Sequence, residues 1–400
     1  MILVYYLIII NIIAFIIYGI DKKRAEKDEY RIPESRLILV AVLGGVYGAG
    51  LGMLVFRHKI RKPKFYISVP ILLVLNLLCI VFILYGNYHL VSTQYEYRSI
   101  LVPAEMDGYR IVQVSDLHNQ IFGPGQTILL NKIKKENPDI IVVTGDAVDS
   151  MHTNYGITEE FFEGAVKLAP VYYITGNHEE WLIEKNPERF EDFIKTIESY
   201  GVLYIDDKTI DLGGVKLSGV SEMSQGTSNL GDTAPDELMV VLAHEPKYIN
   251  SYVEGGADLV LSGHNHGGQI RIPGKGGLVS ADFQFFPELD EGEKTYGNST
   301  MIISRGLGNS LFPARINNYP EIVTIVLKRE EQKIMHLYMP DVVGATEEGA
   351  VTKLKDMGFL NIVVKYEESA DMESGRVVRQ SIPPDTTVST EFEITIYVAQ

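Results

Sequence analysis

Five short apolar runs set the strongest limits on the fold of this chain. An acid, an amide or a histidine follows each run within two residues. Each run has five or six residues rich in Val, Ile and Leu, as buried strands do, and they span 110–115, 140–144, 171–175, 238–243 and 258–262. Between them, residues 126–136, 157–168 and 187–200 have the helical spacing of apolar positions. This alternation predicts an α/β fold.

The polar residues that directly follow these strands could converge into one site. They are Asp116, His118, Asp146, Asp149, Asn177, His178, His244, His264 and His266. In open α/β sheets, sites form beyond the carboxyl ends of the strands. A single histidine beside a strand is more often structural or solvated, but that reading does not explain five such blocks together.

The residue types suit a pair of metal ions. Two divalent ions about 3.5–4 Å apart can clamp the attacking and leaving oxygens of an in-line phosphoryl displacement. Asp116 and His118 can serve one ion, and the two histidines after the last strand could serve one ion each. Asp146 is the natural bridge, and Asn177 offers a neutral oxygen that limits the negative charge.

This ordered set resembles the calcineurin-like metallophosphoesterase family over about residues 105–328, and the segment 263–273 is similar to its membrane-associated bacterial branch. The resemblance implies a four-layer αββα sandwich within about 100–330. It implies that the first metal ion is held by Asp116, His118, Asp146 and His266. It implies that the second is held by Asp146, Asn177, His244 and His264.

The same resemblance implies that His178 is a catalytic group rather than a ligand, and that Asp146 is the bridging ligand. His178 would stabilise the developing charge or protonate the leaving oxygen. A water or hydroxide between the ions would attack phosphorus, with its pKa lowered by the metals.

Several neighbouring residues allow two interpretations. Asp149 could orient a ligand such as a histidine ring, or simply cap its loop. Arg305 or Arg315 could pair with a second phosphate in fork geometry, or form an ordinary salt bridge. Trp181 could guide an acyl chain or pack under a loop, and His152 is predicted to be solvated.

The first 90 residues predict a membrane anchor. Residues 2–20 and 66–86 are uncharged, apolar and long enough to span a bilayer. Residues 37–56 are long enough too, but five glycines also permit a re-entrant hairpin. We therefore expect two or three transmembrane helices. The segments 18–22 and 56–59 resemble a small bacterial membrane domain of unknown function.

Charge is distributed unevenly along the chain. The net charge is −16, yet residues 1–90 carry 11 Lys and Arg against 5 Asp and Glu. The acidic remainder argues against nucleic-acid binding. Basic loops at 21–36 and 57–64 favour the cytoplasmic side. If residues 37–56 re-enter, both loops stay inside, so we expect a multi-pass membrane protein with an extracellular catalytic domain.

Residues 338–400 form a separate small α+β unit that resembles a PASTA domain, with matching segments at 339–344, 375–378 and 380–384. Pro384 and Asp385 stand where the family usually has a glycine. The resemblance implies a unit that faces the cell wall, with peptidoglycan as a partner. A spacer or dimerisation module is the alternative.

Together these features predict a membrane-anchored hydrolase of phosphoester or pyrophosphate bonds, with a phosphorylated lipid or cell-envelope substrate. We expect it to use two divalent ions, with Mn²⁺ as the favoured metal and Fe, Zn²⁺ or Co²⁺ as alternatives. The competing hypothesis is a cell-wall-binding or sensor protein in which the phosphoesterase fold is a regulated scaffold.

Overall fold

The computed structural model describes residues 2–224, 230, 234, 237–309, 312–331 and 335–400. It divides into two compact units, Met1–Arg329 and Glu330–Gln400. The helices are α1 (Ile2–Glu26), α2 (Glu34–Val40), α3 (Val46–Val55), α4 (Pro63–Tyr88), α5 (Thr127–Lys135), α6 (Tyr155–Ala165), α7 (Asn177–Lys185), α8 (Pro187–Tyr200), α9 (Ile249–Glu254) and α10 (Glu347–Asp356).

Of the fourteen strands described in the first unit, twelve build two six-stranded mixed sheets and two form a separate two-stranded sheet. The strands are β1 (Val91–Ser99), β2 (Arg110–Val114), β3 (Ile140–Thr144), β4 (Val171–Ile174), β5 (Leu203–Tyr204), β6 (Thr209–Asp211), β7 (Val215–Val220), β8 (Leu238–Ala243), β9 (Leu259–Ser262), β10 (Arg271–Ile272), β11 (Gly276–Gly277), β12 (Gly292–Tyr296), β13 (Ser299–Ile303) and β14 (Glu321–Arg329). One sheet has the order β1-β14-β2-β3-β4-β5 and the other the order β12-β13-β9-β8-β7-β6.

The two sheets pack face to face between helices, which confirms the predicted four-layer αββα sandwich. One core lies between the sheets, where Ile111 and Val142 of the first meet Val240 and Leu261 of the second. The outer face of the first sheet packs on α5, α6 and α8, and that of the second packs on α9. Strands β3, β4, β8 and β9 are buried along their whole length because both faces are covered.

Strand β1 extends the first sheet upstream of the limit near residue 100 predicted for the catalytic domain. It pairs in parallel with β14, from Val91 opposite Glu321 to Ser99 opposite Arg329. Alternate β1 residues are exposed, as expected for the outer strand of a sheet. Only two residues separate β1 from the end of α4, so the anchor leads directly into the sandwich.

Three N-terminal segments are long and apolar enough to cross a membrane: Tyr5–Glu26, Glu34–Val55 and Pro63–Tyr88. The second of them is not one straight helix. Gly44 has a φ of 104°, and the chain turns there between α2 and α3. Asn11 of α1 binds both sides of the turn, since its Nδ2 donates to Gly44 O at 2.9 Å and its Oδ1 accepts from Gly48 N at 2.8 Å.

Both ends of this second segment lie at the same end of α1. Asp21 accepts a 2.9 Å hydrogen bond from Ile32 N, ahead of α2, and contacts His58 Nε2 at 2.7 Å, beyond α3. Glu34 and Lys59 also pair across these ends at 3.1 Å. Residues 34–55 therefore form a helical hairpin whose turn lies beside Asn11, about ten residues further back along α1.

The second unit contains α10 and five further strands: β15 (His336–Tyr338), β16 (Ile362–Glu367), β17 (Val377–Gln380), β18 (Thr387–Ser389) and β19 (Ile394–Ala399). Strands β16, β19 and β17 form a three-stranded sheet, and β15 pairs with β18. Ala350 and Leu354 of α10 pack on Ile394 and Ile396 of β19. Thr346 caps α10, since its side chain accepts from Gly349 N.

Candidate metal centre

The carboxyl ends of β2, β3 and β4 meet those of β8 and β9 at one edge of the sandwich. Strands β2, β3 and β4 are parallel neighbours, and so are β8 and β9. A hydrogen bond of 2.9 Å from Gln113 Nε2 to Ser262 O ties the two sheets together close to this edge. The five polar blocks predicted from the sequence are therefore brought to one place.

The backbone at this edge is strained at the predicted ligands themselves. Five of them have positive φ angles between 45° and 69°: Asp116, His118, Asp146, His264 and His266. A residue other than glycine in this region costs about 1–3 kcal/mol, so it persists only where the surrounding structure imposes it. Such strain concentrates at functional sites, where it aims side chains inward.

Asp116, His118 and His266 form the first cluster of potential metal ligands. His118 Nε2 lies 3.1 Å from His266 Nε2, and Asp116 Oδ1 lies 3.6 Å from His266 Nε2. One donor atom from each of the three residues lies within 4.8 Å of the others, so together they could hold an ion.

Asp146, Asn177, His244 and His264 form the second cluster. Asn177 Oδ1 lies 2.9 Å from His264 Nδ1 and 3.2 Å from His244 Nε2. Asp146 Oδ2 lies 3.3 Å from His244 Nε2. Asp146, His244 and His264 also satisfy the 4.8 Å spacing of a metal-binding group.

Asp146 stands between the two clusters. Its Oδ2 atom lies 3.5 Å from His118 Nε2 of the first cluster and 3.3 Å from His244 Nε2 of the second. Its other oxygen, Oδ1, accepts a 2.8 Å hydrogen bond from His178 N, which leaves Oδ2 directed at both clusters. This is the geometry expected of a bridging carboxylate.

The donor set fits divalent ions. Carboxylate, amide and imidazole donors together suit ions such as Mn²⁺, Fe and Zn²⁺. His244 Nδ1 contacts the carbonyl of Thr144 at 2.8 Å, so Nδ1 is the donor there and Nε2 faces the cluster. Burial, reinforced by the charge of Arg315, holds the pKa of His266 well below its usual range, which keeps this imidazole neutral as a ligand must be.

Asp146 and His244 are electrostatically coupled. Burial works against ionisation of both, but their mutual attraction lowers the pKa of Asp146 well below its usual range and raises the pKa of His244. An ion that binds Nε2 of His244 must displace the proton held there, so binding releases a proton.

Glu179 is a central residue of the site that the sequence analysis did not assign. Its carboxylate accepts hydrogen bonds of 2.8–2.9 Å from the backbone N–H groups of Asp146, Val148 and Gly176. Burial, with the charge of Asp146, raises its pKa to about 8. The sequence does contain an indication of this role. Glu179 lies three residues after the N-cap Gly176, where the acid of a capping box stands.

His178 lies beside the clusters. Its Nδ1 accepts a 3.1 Å hydrogen bond from Ser150 N, so the neutral ring carries its proton on Nε2. The ring is 4.5 Å from that of His118, centroid to centroid. Asp149 caps its loop, because its Oδ1 accepts from Met151 N at 2.7 Å, while its Oδ2 lies 3.8 Å from His118 Nδ1, too far for a hydrogen bond that would orient the ring.

The two arginines considered for phosphate binding are both engaged by protein groups. Arg305 pairs with Glu321 and Glu291, and only 16% of its side chain is exposed. Arg315 is completely buried, and its guanidinium donates to the carbonyl of Gly308. Neither presents the free fork that a second phosphate would need.

A cavity of about 620 Å³ opens beside the clusters. Its wall includes Asp146, Asn177 and His178 at one end. The rest is largely apolar, with Ile270, Leu278, Val279, Trp181, Phe283 and Phe312. Trp181 is 51% exposed, so it lines the cavity rather than packing under a loop, and the predicted solvated His152 is exposed as expected.

Comparison with known proteins matches three parts of the chain to family models. The calcineurin-like phosphoesterase model matches residues 109–268, the PASTA domain model matches 337–400, and a model for proteins of unknown function (DUF1294) matches 11–65. The chain is 44% identical over 80 residues to the uncharacterized protein YsdA of Bacillus subtilis, covering 20% of this chain and 90% of YsdA.

Two relatives match the catalytic region. The uncharacterized metallophosphoesterase YkuE of Bacillus subtilis is 28% identical over 251 residues, covering 59% of this chain and 85% of YkuE. The phosphodiesterase YaeI of Escherichia coli is 28% identical over 233 residues, covering 55% of this chain and 82% of YaeI. The chain therefore contains a calcineurin-like phosphoesterase domain, with a DUF1294 region before it and a PASTA domain after it.

Proposed function

We propose that the chain is a membrane-anchored hydrolase of phosphoester or pyrophosphate bonds that works with two divalent metal ions. The observation that carries this proposal is the position of Asp146. One of its oxygens lies within 3.5 Å of a donor in each of two adjacent clusters, as a shared ligand must.

In this proposal each cluster holds one ion. The first is held by Asp116, His118, Asp146 and His266, and the second by Asp146, Asn177, His244 and His264. When bound, such ions polarise the phosphoryl group and lower the pKa of the attacking water. We expect Mn²⁺, although Fe, Zn²⁺ and Co²⁺ also suit mixed oxygen and imidazole donors.

His178 acts as the proton donor or charge stabiliser in this proposal. Because Ser150 N occupies its Nδ1, the ring can direct an Nε2–H at the substrate. Proton transfer to the leaving oxygen requires the imidazolium form, whose Nδ1–H can donate to Ser150 Oγ at 3.1 Å, and the ring is then left as neutral imidazole. General acid catalysis of this kind contributes about 10²–10⁴-fold to the rate. Glu179 acts indirectly, by fixing the backbone of Asp146.

We propose a phosphorylated lipid or amphiphilic envelope compound as the substrate. Two features support this class. Most of the exposed surface of the cavity beside the clusters is apolar, and it would bury an apolar group next to the reacting phosphate. Phe312 in its wall is next to Pro313, whose carbonyl accepts from Asn87 at the end of α4, so the cavity lies close to the membrane helix.

We propose that the catalytic domain is extracellular. The hairpin of residues 34–55 returns to the side on which it begins, so α1 and α4 are the only segments of the described anchor that cross. Both basic loops then lie on one side, which the positive-inside rule makes the cytoplasm. Since α4 leaves that side, β1 and the sandwich emerge on the other.

Hydrolysis by the full-length protein tests the proposal. The protein in detergent micelles with Mn²⁺ is expected to hydrolyse bis-p-nitrophenyl phosphate or p-nitrophenyl phosphate, and to act faster on long-chain lipid phosphates or pyrophosphates than on short-chain analogues. Asp146→Asn should abolish this activity. Asp211→Asn is the matched control, because Asp211 is half exposed and binds the loop at Gly213. Equal activity in wild type and Asp146→Asn would contradict the proposal.

We further propose that the PASTA domain binds peptidoglycan, which is the function the competing wall-sensor hypothesis requires. The family match over residues 337–400 supports this role. Pull-down of the full-length protein on purified peptidoglycan is expected to fall when residues 338–400 are deleted. Equal recovery of both forms would remove the support for wall binding while leaving the hydrolase proposal intact.

A further inference from the structure

The end of membrane helix α4 is attached to the catalytic domain beside the metal centre. Asn87 Nδ2 donates to Pro313 O at 2.9 Å, and Asn87 Oδ1 accepts from Arg315 N at 2.7 Å. One residue earlier, Gly86 packs against the carbonyl of Arg315 with no room for a Cβ atom. The side-chain amide of Asn87 therefore fixes the backbone position of Arg315.

Arg315 in turn connects this backbone to the first cluster. Its side chain is completely buried. Its Nε donates to Gly308 O at 3.1 Å and its Nη2 donates to Arg305 O at 2.9 Å. The same Nη2 lies 3.4 Å from Nδ1 of His266, on the opposite side of the ring from the Nε2 that faces Asp116.

The loop that Arg315 holds also supports Asp116. Leu307 N donates to Ser115 O at 3.0 Å, and Gly308 N donates to Asp116 O at 2.6 Å. Gly306 packs directly against the Asp116 side chain, where a Cβ atom would lie 2.6 Å from Asp116 Cβ. Two ligands of the first cluster, Asp116 and His266, are therefore positioned through Arg315.

The second cluster is held by other contacts. His244 Nδ1 donates to Thr144 O at 2.8 Å, at the end of β3. Glu179 fixes the backbone of Asp146 and Gly176. These contacts come from within the sandwich, so a change at the end of α4 should reach the two clusters unequally.

We propose that Asn87 and Arg315 are positioning residues that couple the membrane helix to the first metal position. The affinity of the first position for its ion then depends on the docking of α4. The affinity of the second position does not depend on it. This inference rests on the two-metal function proposed above. It also predicts that removing the anchor weakens one ion site even though every ligand remains.

The test measures Mn²⁺ binding to the full-length protein in detergent micelles, by metal analysis after equilibrium dialysis at graded free Mn²⁺. Asn87→Ala removes the amide contacts, and Gly86→Ala independently pushes on the Arg315 carbonyl. Asn76→Ala is the matched control, because Asn76 lies on the same helix and binds Tyr47 within the anchor. Thermal unfolding of the metal-free proteins is measured alongside.

Asn87→Ala and Gly86→Ala are expected to weaken one of the two Mn²⁺ binding steps about 10-fold or more, the usual effect of losing a residue that orients a ligand. The other step and the Asn76→Ala control should match wild type. Wild-type Mn²⁺ binding in both variants would overturn the inference, as would a lower unfolding temperature without any change in binding. If the binding steps differ as expected but the wild type hydrolyses no phosphate compound, the proposed function fails and the positioning role stands.

Discussion

Glu179 accepts a 2.8 Å hydrogen bond from the backbone N–H of Asp146, so a buried acid outside the ligand set fixes the residue shared by the two clusters. The same carboxylate also accepts hydrogen bonds from the backbone N–H groups of Val148 and Gly176. In Glu179→Gln the amide NH₂ must face one of these donors. We expect weaker Mn²⁺ binding at both positions, by about 10-fold, measured by equilibrium dialysis. Glu180→Gln, a neighbour on α7, is the control, and equal binding in Glu179→Gln and wild type would contradict this role.

Glu179 also predicts a pH dependence of stability in the metal-free protein. Burial raises its pKa to about 8 from the ordinary glutamate value of 4.5. The folded state therefore binds more protons than the unfolded state between these values, and stability falls as pH rises through this window. Thermal unfolding with chelator at pH 5.5 and 8.5 should show a larger loss for wild type than for Glu179→Gln. Parallel losses in the two proteins would show that Glu179 does not titrate in this range.

His178 is expected to affect turnover without affecting metal content. His178→Ala should lower kcat about 10²-fold or more on substrates with an alkyl or sugar leaving group, because these leaving oxygens need a proton. The loss should be smaller with p-nitrophenyl phosphate, whose leaving group departs as a stable anion. His152→Ala is the control, since that side chain is 75% exposed. Equal losses on both substrate types would argue for charge stabilisation rather than proton donation.

Gly306 tests the support of Asp116. It has a φ of 69°, and a Cβ there would lie 2.6 Å from Asp116 Cβ. Gly274 has a φ of 76°, and a Cβ there would meet no atom of the described residues within 4 Å. Both alanine variants should lose about 1–2 kcal/mol of stability from backbone strain. Only Gly306→Ala should also lose Mn²⁺ affinity, and equal affinities in the two variants would contradict the packing argument.

The hairpin predicts the labelling of introduced cysteines in intact cells. In a Cys79→Ser background, Tyr30→Cys and Arg61→Cys probe the two basic loops, and Lys208→Cys probes the sandwich. A membrane-impermeant maleimide should label the Lys208→Cys protein in intact cells and the other two only after permeabilisation. Labelling of the two loops on opposite sides would show that residues 34–55 cross the membrane.

The sequence alone predicts those parts of the site whose position is set by neighbouring residues in the chain. Asp146 follows an apolar strand directly, so its place at the sheet edge could be expected from the strand alone. The contact of Asn87 with Arg315 joins residues 228 positions apart, and no local pattern indicates it. Length and hydrophobicity do not distinguish a hairpin from a single span, because the turn depends on Asn11 satisfying the backbone at Gly44.

Metal analysis of the purified full-length protein tests the central claim most directly. After dialysis against micromolar Mn²⁺ in detergent, the wild-type protein should retain two ions per chain. Asp146→Asn, which alters the ligand shared by both clusters, should retain fewer than one. Two ions in the variant, or no stoichiometric metal in the wild type, would contradict a shared two-metal centre.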